Sequence, residues 1–165
     1  MARKLASRTA QYPMVAEFVM NWNDWAIDSV SGVKKTLAST VATSTDPLET
    51  GLTAGTNLVF DAIPMPVGAV IIGGTVQVET VFNGTGTNTV SVGISGATTT
   101  FTTTTDLETA GITAFTLTTT IPLVCNAGAN IRLTFANGGA DATAGKVRVR
   151  VHYTIDGRAN ENNLT

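Results

Sequence analysis

The sequence predicts an all-β protein: an antiparallel two-sheet sandwich of the jelly-roll type, preceded by an extended N-terminal arm. Apolar and polar side chains alternate along several short segments, which is the period of a strand with one buried face. Gly, Pro and Asn separate these segments, and few of them have helical periodicity. Thr, a β-branched residue that favours strands, occupies 30 of the 165 positions. Successive strands of this kind pair antiparallel and form sandwiches.

The chain length fits one domain, because 165 residues can bury roughly two thirds of their unfolded surface. We expect residues 1–13 to form a basic arm, residues 14–156 a single β-sandwich domain, and residues 157–165 a polar C-terminal tail. The arm lacks periodicity, so it is equally typical of a disordered basic tail, and the sequence leaves both interpretations open.

The first predicted strand covers residues 14–20, and Trp22 and Trp25 follow beside a polar turn. Two tryptophans could stack on a sugar or a partner, but such residues more often close one end of a sandwich core. Residues 29–57 have only a weak pattern, so no register can be predicted there. Residues 58–63 form the next strand, which ends at a proline because proline cannot donate to a ladder.

The strongest alternation in the middle of the chain spans residues 66–94. It predicts a β-hairpin in which a Gly-rich loop over residues 83–88 joins two strands. The Gly73-Gly74 pair interrupts the first strand, which predicts a β-bulge or a close backbone approach. One face of this strand is expected to carry Val70, Ile72, Val76, Val78, Thr80 and Phe82.

The second half of the chain continues the same pattern. A threonine-rich strand is predicted over residues 98–105, followed by a short helical turn over residues 106–111 that begins at Thr105 or Asp106. Residues 131–135 alternate clearly and predict another strand. We therefore expect strands with turns between them up to the C-terminal tail.

The last predicted strand, residues 146–155, has the most regular alternation of the chain. One face carries five apolar side chains: Val147, Val149, Val151, Tyr153 and Ile155. The other face carries a basic stripe made of Arg148, Arg150 and His152. Such a stripe could bind phosphates, although basic residues along one strand are more often a solvated or intersubunit face.

Charge is scarce and unevenly distributed. Charged residues make up 13% of the chain, about half of the usual share, so the surface loses little hydration when it is buried in an assembly. The net charge of −2 gives no overall signal for nucleic-acid binding. Basic residues concentrate near both ends and acids fill the middle. Copies could therefore pair with each other, or the ends could contact an acidic partner.

The sequence also limits the compartment. A single cysteine excludes an intrachain disulfide and fits synthesis in a reducing compartment. The N-terminal segment has no continuous apolar region typical of a signal peptide, and no apolar run approaches the roughly 20 residues that span a bilayer. We expect a soluble protein, made in a cytoplasm, with no membrane or nucleic-acid partner.

Patterns that carry catalysis are missing from the sequence. One histidine, His152, cannot form a histidine-paired metal centre. Cys125 could in principle pair with His152 as a nucleophile, but nothing around it resembles an activating turn, and a buried structural thiol is the simpler interpretation. We therefore expect no enzymatic activity, no cofactor and no metal.

Three stretches of the chain carry a family resemblance. Residues 66–83 contain PVGAVIIGG running into VQVETVFN, residues 105–111 read TDLETAG, and residues 144–162 run from AGKVRV to IDGRANEN. In this order they resemble small virion proteins of tailed bacteriophages, of the jelly-roll head decoration or capsid cement type. The resemblance covers roughly residues 58–162, and residues 29–57 match nothing in it.

The resemblance implies a non-enzymatic homotrimer that binds the outer surface of a phage head and stabilises it by bridging neighbouring subunits of the major capsid protein. It implies a place on the virion exterior after synthesis in the cytoplasm of the bacterial host. The residues expected at the capsid or subunit interface are Arg3, Lys4, Arg8, Trp22, Trp25, Arg148, Arg150, His152, Arg158, Asn160, Glu161 and Asn162.

Two other classes of function are weighed against this one. A receptor- or glycan-binding virion module, in a head fibre or associated with the tail, would use Trp22 and Trp25 as an exposed platform. A hydrolase would need clustered acids or a nucleophile pair, which the sequence does not present.

Overall fold

The computed structural model describes residues 12–37, 49–52, 55–117, 123–125, 129–139 and 142–155, and these residues contain strands and no helix. The strands in chain order are β1 (Met14–Asn21), β2 (Trp25–Ile27), β3 (Lys34–Thr36), β4 (Glu49–Gly51), β5 (Asn57–Ile63), β6 (Ala69–Thr80), β7 (Thr89–Ile94), β8 (Ala97–Asp106), β9 (Gly111–Ala114), β10 (Leu123–Cys125), β11 (Ile131–Ala136) and β12 (Lys146–Ile155). The predicted all-β class is confirmed.

Two antiparallel sheets form the sandwich. The first sheet has the order β1-β12-β6-β10, and β9 pairs with a later part of β6. The second sheet has the order β5-β11-β7-β8. The chain crosses between the sheets from β5 to β6, from β6 to β7, from β8 to β9, from β10 to β11 and from β11 to β12, which is the winding of a jelly roll. The predicted jelly-roll sandwich is therefore confirmed.

The core lies between these sheets because each strand turns its apolar phase inward. Val147, Val149 and Val151 of β12 are completely buried, while the residues between them are half-buried on the outer face. Aromatic rings join the layers: Phe18 of the first sheet meets Phe60 of the second edge to face, with ring centroids 5.6 Å apart. Burial of this apolar surface is the main stabilising contribution to the fold.

A small third sheet of β2, β3 and β4 covers the outer edge of β5. Strands β2 and β3 are antiparallel, but β3 and β4 are parallel, which departs from the purely antiparallel expectation. The turn after β2 bonds to β5, where Ser29 N donates to Val59 O at 2.6 Å. This region is the one for which the sequence predicted no register.

The predicted hairpin over residues 66–94 is wrong. Strand β6 belongs to the first sheet and β7 to the second, so the Gly-rich loop carries the chain across the sandwich. Alternation identifies a strand with one buried face, and both sheets bury a face against the same core, so the pattern does not tell which sheet a strand joins. Glycine is needed in this loop, because Gly86 has a φ of +87° and a Cβ on it would lie 2.6 Å from the Gly138 carbonyl oxygen.

The predicted irregularity at Gly73-Gly74 is confirmed as a β-bulge in β6. His152 pairs with Gly73 and the next residue of β12, Tyr153, pairs with Ile71, so Ile72 is the extra residue. The bulge changes the phase of the strand. Ile71 is buried and Ile72 is 43% exposed, which corrects the expectation that Ile72 shares a face with Val76.

The predicted helical turn over residues 106–111 is also wrong. Strand β8 continues to Asp106, and an irregular turn leads directly to β9. The Asp106 carboxylate does accept hydrogen bonds from Glu108 N and Thr109 Oγ1, each at 2.8 Å. An aspartate satisfies the same backbone donors in a tight turn as at a helix start, so the sequence signal is shared by both structures.

Candidate interaction surface

The outer face of the first sheet carries most of the predicted interface residues that the structure describes. Strand β12 lies between β1 and β6, so the side chains of Arg148 face an acid on each neighbouring strand. Arg148 donates through Nε to Glu79 and through Nη1 to Glu17. One guanidinium therefore joins three strands.

Further ion pairs extend this contact into a connected group. Arg150 Nε donates to Glu17 Oε2 at 2.8 Å, and Arg150 Nη1 donates to Gln77 Oε1 at 3.2 Å. Lys146 Nζ lies 2.8 Å from Glu79 Oε2. We call this group the charged network, and its members are Glu17, Gln77, Glu79, Lys146, Arg148 and Arg150.

The network changes the acidity of its members. Hydrogen bonds from Arg148 and Lys146 lower the pKa of Glu79 to about 2. The hydrogen bond from Arg150, together with the charge of Arg148, lowers the pKa of Glu17. Glu79 in turn raises the pKa of Arg148. Both carboxylates stay ionised near neutral pH, so the two arginines are paired with fixed negative charges.

The predicted basic stripe is therefore not an open cationic surface. Alternation on β12 correctly placed Arg148 and Arg150 on the outer face, but it could not show the acids beside them. Alternation along their own strands places Glu17 and Glu79 on the outer face, and this position can be predicted from the sequence. Their contact with the stripe follows only from the order β1-β12-β6, which the sequence does not reveal.

His152 lies beyond the network, in a row of the outer face that it shares with Val15 and Gly73. This end of the first sheet exposes four large apolar side chains, which we call the terminal patch: Tyr12, Val15, Val67 and Ile72. Their exposed fractions are 90%, 58%, 68% and 43% in that order. Sequence reasoning did not select these residues. Tyr12 and Val67 lie outside the alternating segments, which left no periodic signal for them.

The tryptophans do not form an exposed platform. Trp22 is half-buried and packs against the core, as expected for a residue that closes the end of a sandwich. Trp25 is half-buried in the small third sheet, and the Lys34 ammonium lies 5.1 Å from the centroid of its ring.

A buried ion pair supports the third sheet and was missed by sequence reasoning. The Asp28 carboxylate is 2% exposed and accepts hydrogen bonds from Val59 N, the Ser31 hydroxyl and Lys35 Nζ. Burial alone raises the pKa of this group, but the hydrogen bonds from Lys35, Ser31 and Val59 outweigh it and lower the pKa well below its ordinary value. The arrangement stabilises structure, because its partners belong to the turn, to β3 and to β5.

The described residues offer little that could perform catalysis. No three His, Cys, Asp or Glu side chains among them converge on a point where they could hold a metal ion. An open cleft of about 270 Å³ lies beside the β8–β9 turn and is lined mainly by threonine, alanine and aliphatic side chains with Asp106. The part of the chain that the structure describes contains no helix long and apolar enough to cross a membrane.

Several predicted interface residues lie outside the described residues: Arg3, Lys4, Arg8, Arg158, Asn160, Glu161 and Asn162. The backbone of Cys125 pairs with Ala69 at the end of β10, and the prediction that its thiol is buried stays untested.

Comparison with known proteins gives a likeness in structure. No protein-family model and no curated protein matches the chain. A chain of the cyanophage Pam1 capsid asymmetric unit is 18% identical with a TM-score of 0.59, over 92% of this chain and 93% of that chain. A chain of the acid-stable capsid of Helicobacter pylori bacteriophage KHP30 is 15% identical with a TM-score of 0.53, over 88% and 89%.

Both neighbours come from bacteriophage capsids, so the predicted likeness to bacteriophage virion proteins is confirmed at the level of fold. Identities of 15% and 18% support a shared fold and no transfer of individual residue roles.

Proposed function

We propose that this chain is a non-enzymatic structural protein of a bacteriophage virion, which binds the outer surface of the head and bridges neighbouring capsid subunits. One observation carries the proposal: the fold matches chains of two phage capsids over 92% and 88% of the residues of this chain. A match of that extent leaves 8% and 12% of this chain unmatched.

The chemistry of the surface supports a structural role. The charged network pairs its acids with its bases across three strands, and among the described residues no metal-ligand cluster forms. A binding surface built from such strands contacts a protein partner through its shape and its apolar side chains. These properties suit a permanent place in an assembly better than the capture of a small ligand.

The partners follow from the same proposal. The chain associates with copies of itself as a homotrimer and with the major capsid protein, on the exterior of the head, after synthesis in the cytoplasm of the bacterial host. Low charge content favours such contacts, since 13% of charged residues makes burial of the surface inexpensive in hydration.

The direct test uses heads of the phage that encodes this chain, prepared without the protein. Purified protein is mixed with these heads and pelleted, and the decorated particles are imaged by electron cryomicroscopy. We expect saturable binding, density for a jelly roll outside the shell, and a higher temperature of head disruption. Absence of binding to these heads would contradict the proposed function.

A further inference from the structure

We infer that the terminal patch is the surface that faces the capsid shell, and that its occupant is a surface of the capsid protein that is apolar at its centre and acidic at its margin. This inference rests on the proposed function and adds the orientation of the sandwich on the head. The patch comprises Tyr12, Val15, Val67 and Ile72. Gly73 of β6 lies in the same row of the sheet as Val15.

Exposed apolar side chains concentrate at this end. The described residues contain nine large hydrophobic side chains that are exposed, and four of them form the terminal patch. Single exposed apolar residues are ordinary on a protein surface, whereas several that lie at one end of a sheet indicate an interaction site. Val15 lies in register with His152 and Gly73, which places part of the patch on one row across three strands.

The centre of the patch is open. A Cβ added at Gly73 would meet no atom within 4 Å, so the sheet has no side chain at this point and a partner can approach the backbone. The row that contains Gly73 has no acid or lysine or arginine, and the charged network begins further along the strands. Because the acids and bases of the network pair with each other, burial of the patch leaves no charge without a partner.

Both ends of the chain join the described structure at this patch. Met14 at the start of β1 pairs with Tyr153 near the end of β12, so residues 1–11 and 156–165 attach to the same end of the first sheet. Residues 1–13 contain Arg3, Lys4 and Arg8 and no acid. Eleven residues of extended chain reach at most roughly 35–40 Å, so these cations act within that distance of the patch.

The charges of the N-terminal segment determine the choice of occupant. A second copy seated on the patch would bring a second set of Arg3, Lys4 and Arg8 within tether length of the first, and like charges repel. A capsid surface with acids around an apolar centre complements both features of this end of the molecule. Many identical sites on one shell then add avidity.

A glycine substitution provides the sharpest test, because the chain offers a matched control. Neither Gly73 nor Gly111 has a left-handed backbone, and an added Cβ meets no atom within 4 Å at either position. Gly73→Gln places a side chain in the centre of the patch. Gly111→Gln places the same side chain at the start of β9, away from the patch. Thermal unfolding should stay within a few degrees of wild type for both variants.

The measurement is pelleting on heads of the encoding phage that lack the protein, with the mass of each variant determined by light scattering. We expect Gly73→Gln to bind the heads at least tenfold more weakly and Gly111→Gln within twofold of wild type. A second pair of variants repeats the comparison on apolar side chains of similar exposure. Val67→Gln should weaken binding, and Ile112→Gln, where the side chain is 66% exposed beside the network, should not.

The outcomes separate this inference from the proposed function. Wild-type binding that Gly73→Gln and Val67→Gln leave unchanged would overturn the inference and leave the proposed function standing. Gly73→Gln that changes the oligomeric mass and still binds heads as wild type does would assign the patch to contacts between copies. That result would also overturn the inference. Failure of the wild type to bind heads would overturn the proposed function, and the orientation with it.

Discussion

At the scale of single residues, Asp28 is the most constrained charge in the described part of the chain. Its carboxylate holds the turn after β2 against β5, and its salt bridge to Lys35 spans 2.8 Å with side-chain exposures of 3% and 17%. The sequence shows only an aspartate before a Ser-Val-Ser-Gly turn. Its partner on β5 is 31 positions away, at Val59, so the function of the residue depends on tertiary structure.

We expect Asp28→Ala to lower the free energy of unfolding by about 3–5 kcal/mol, because it removes the carboxylate that neutralises the Lys35 ammonium and accepts the hydrogen bond of the Val59 N–H. For a chain of this size the melting temperature should fall by roughly 10 °C. The control is Asp61→Ala, which removes the more exposed pair with Arg132 and should cost about 0–1 kcal/mol. Equal shifts in the two variants would show that Asp28 is an ordinary surface charge.

Gly73 and Gly74 are neighbours in sequence, but an added Cβ has space at Gly73 and none at Gly74. A Cβ on Gly74 would lie 2.3 Å from the Phe115 ring and 2.5 Å from the Arg150 carbonyl oxygen. We expect Gly74→Ala to destabilise the protein by about 1–3 kcal/mol through overpacking. Gly73→Ala should be neutral or stabilising by up to about 1 kcal/mol, because it restricts the unfolded chain. Chemical denaturation of both variants tests this, and a stable Gly74→Ala would contradict the packing described for Phe115.

At the scale of elements, the charged network ties β1, β12 and β6 together. Single strands showed their inward and outward phases in the sequence, and those phases were correct for β11 and β12. Partnership between strands was not predictable, because the order β1-β12-β6 brings together residues about 70 and 130 positions apart. Contacts of such separation leave no local pattern.

The network predicts acid sensitivity of the first sheet. The folded state lowers the pKa of Glu79 from 4.5 to about 2 and also lowers that of Glu17, so both groups stabilise the fold above the pKa of the unfolded chain. Their contribution is lost as pH falls from about 4.5 towards 2. We expect the melting temperature to decline over this window. Glu79→Gln should be less stable than wild type at pH 7 and should decline less steeply in acid, and an unchanged slope would contradict the assignment.

At the scale of the whole molecule, the association of copies is the property most easily measured. We expect a homotrimer of about 51 kDa, since one chain has a mass of 17.1 kDa. Low charge and the separation of basic ends from an acidic middle favour contact between copies. Light scattering or analytical ultracentrifugation at micromolar concentration measures this directly. A single species of 17 kDa would count against the trimer.

The fold class could be predicted from the sequence because alternation, turn residues and threonine content all indicate strands. The placement of individual strands could not. Residues 66–94 looked like one hairpin, yet β6 and β7 lie in different sheets. The candidate surface was predicted in part. Arg148 and Arg150 lie on it, whereas Val67 and Tyr12 lie outside the alternating segments and were found only from their exposure in the structure.

The position of β12 between β1 and β6 has a consequence for synthesis of the protein. The central strand of the first sheet is made of residues 146–155, which leave the ribosome after all the other strands. Until then β1 and β6 have no ladder between them, and their apolar faces stay exposed to water. A nascent chain of this kind completes its first sheet only after residues 146–155 have left the ribosome, so chaperone capacity and translation speed up to that point should determine its yield.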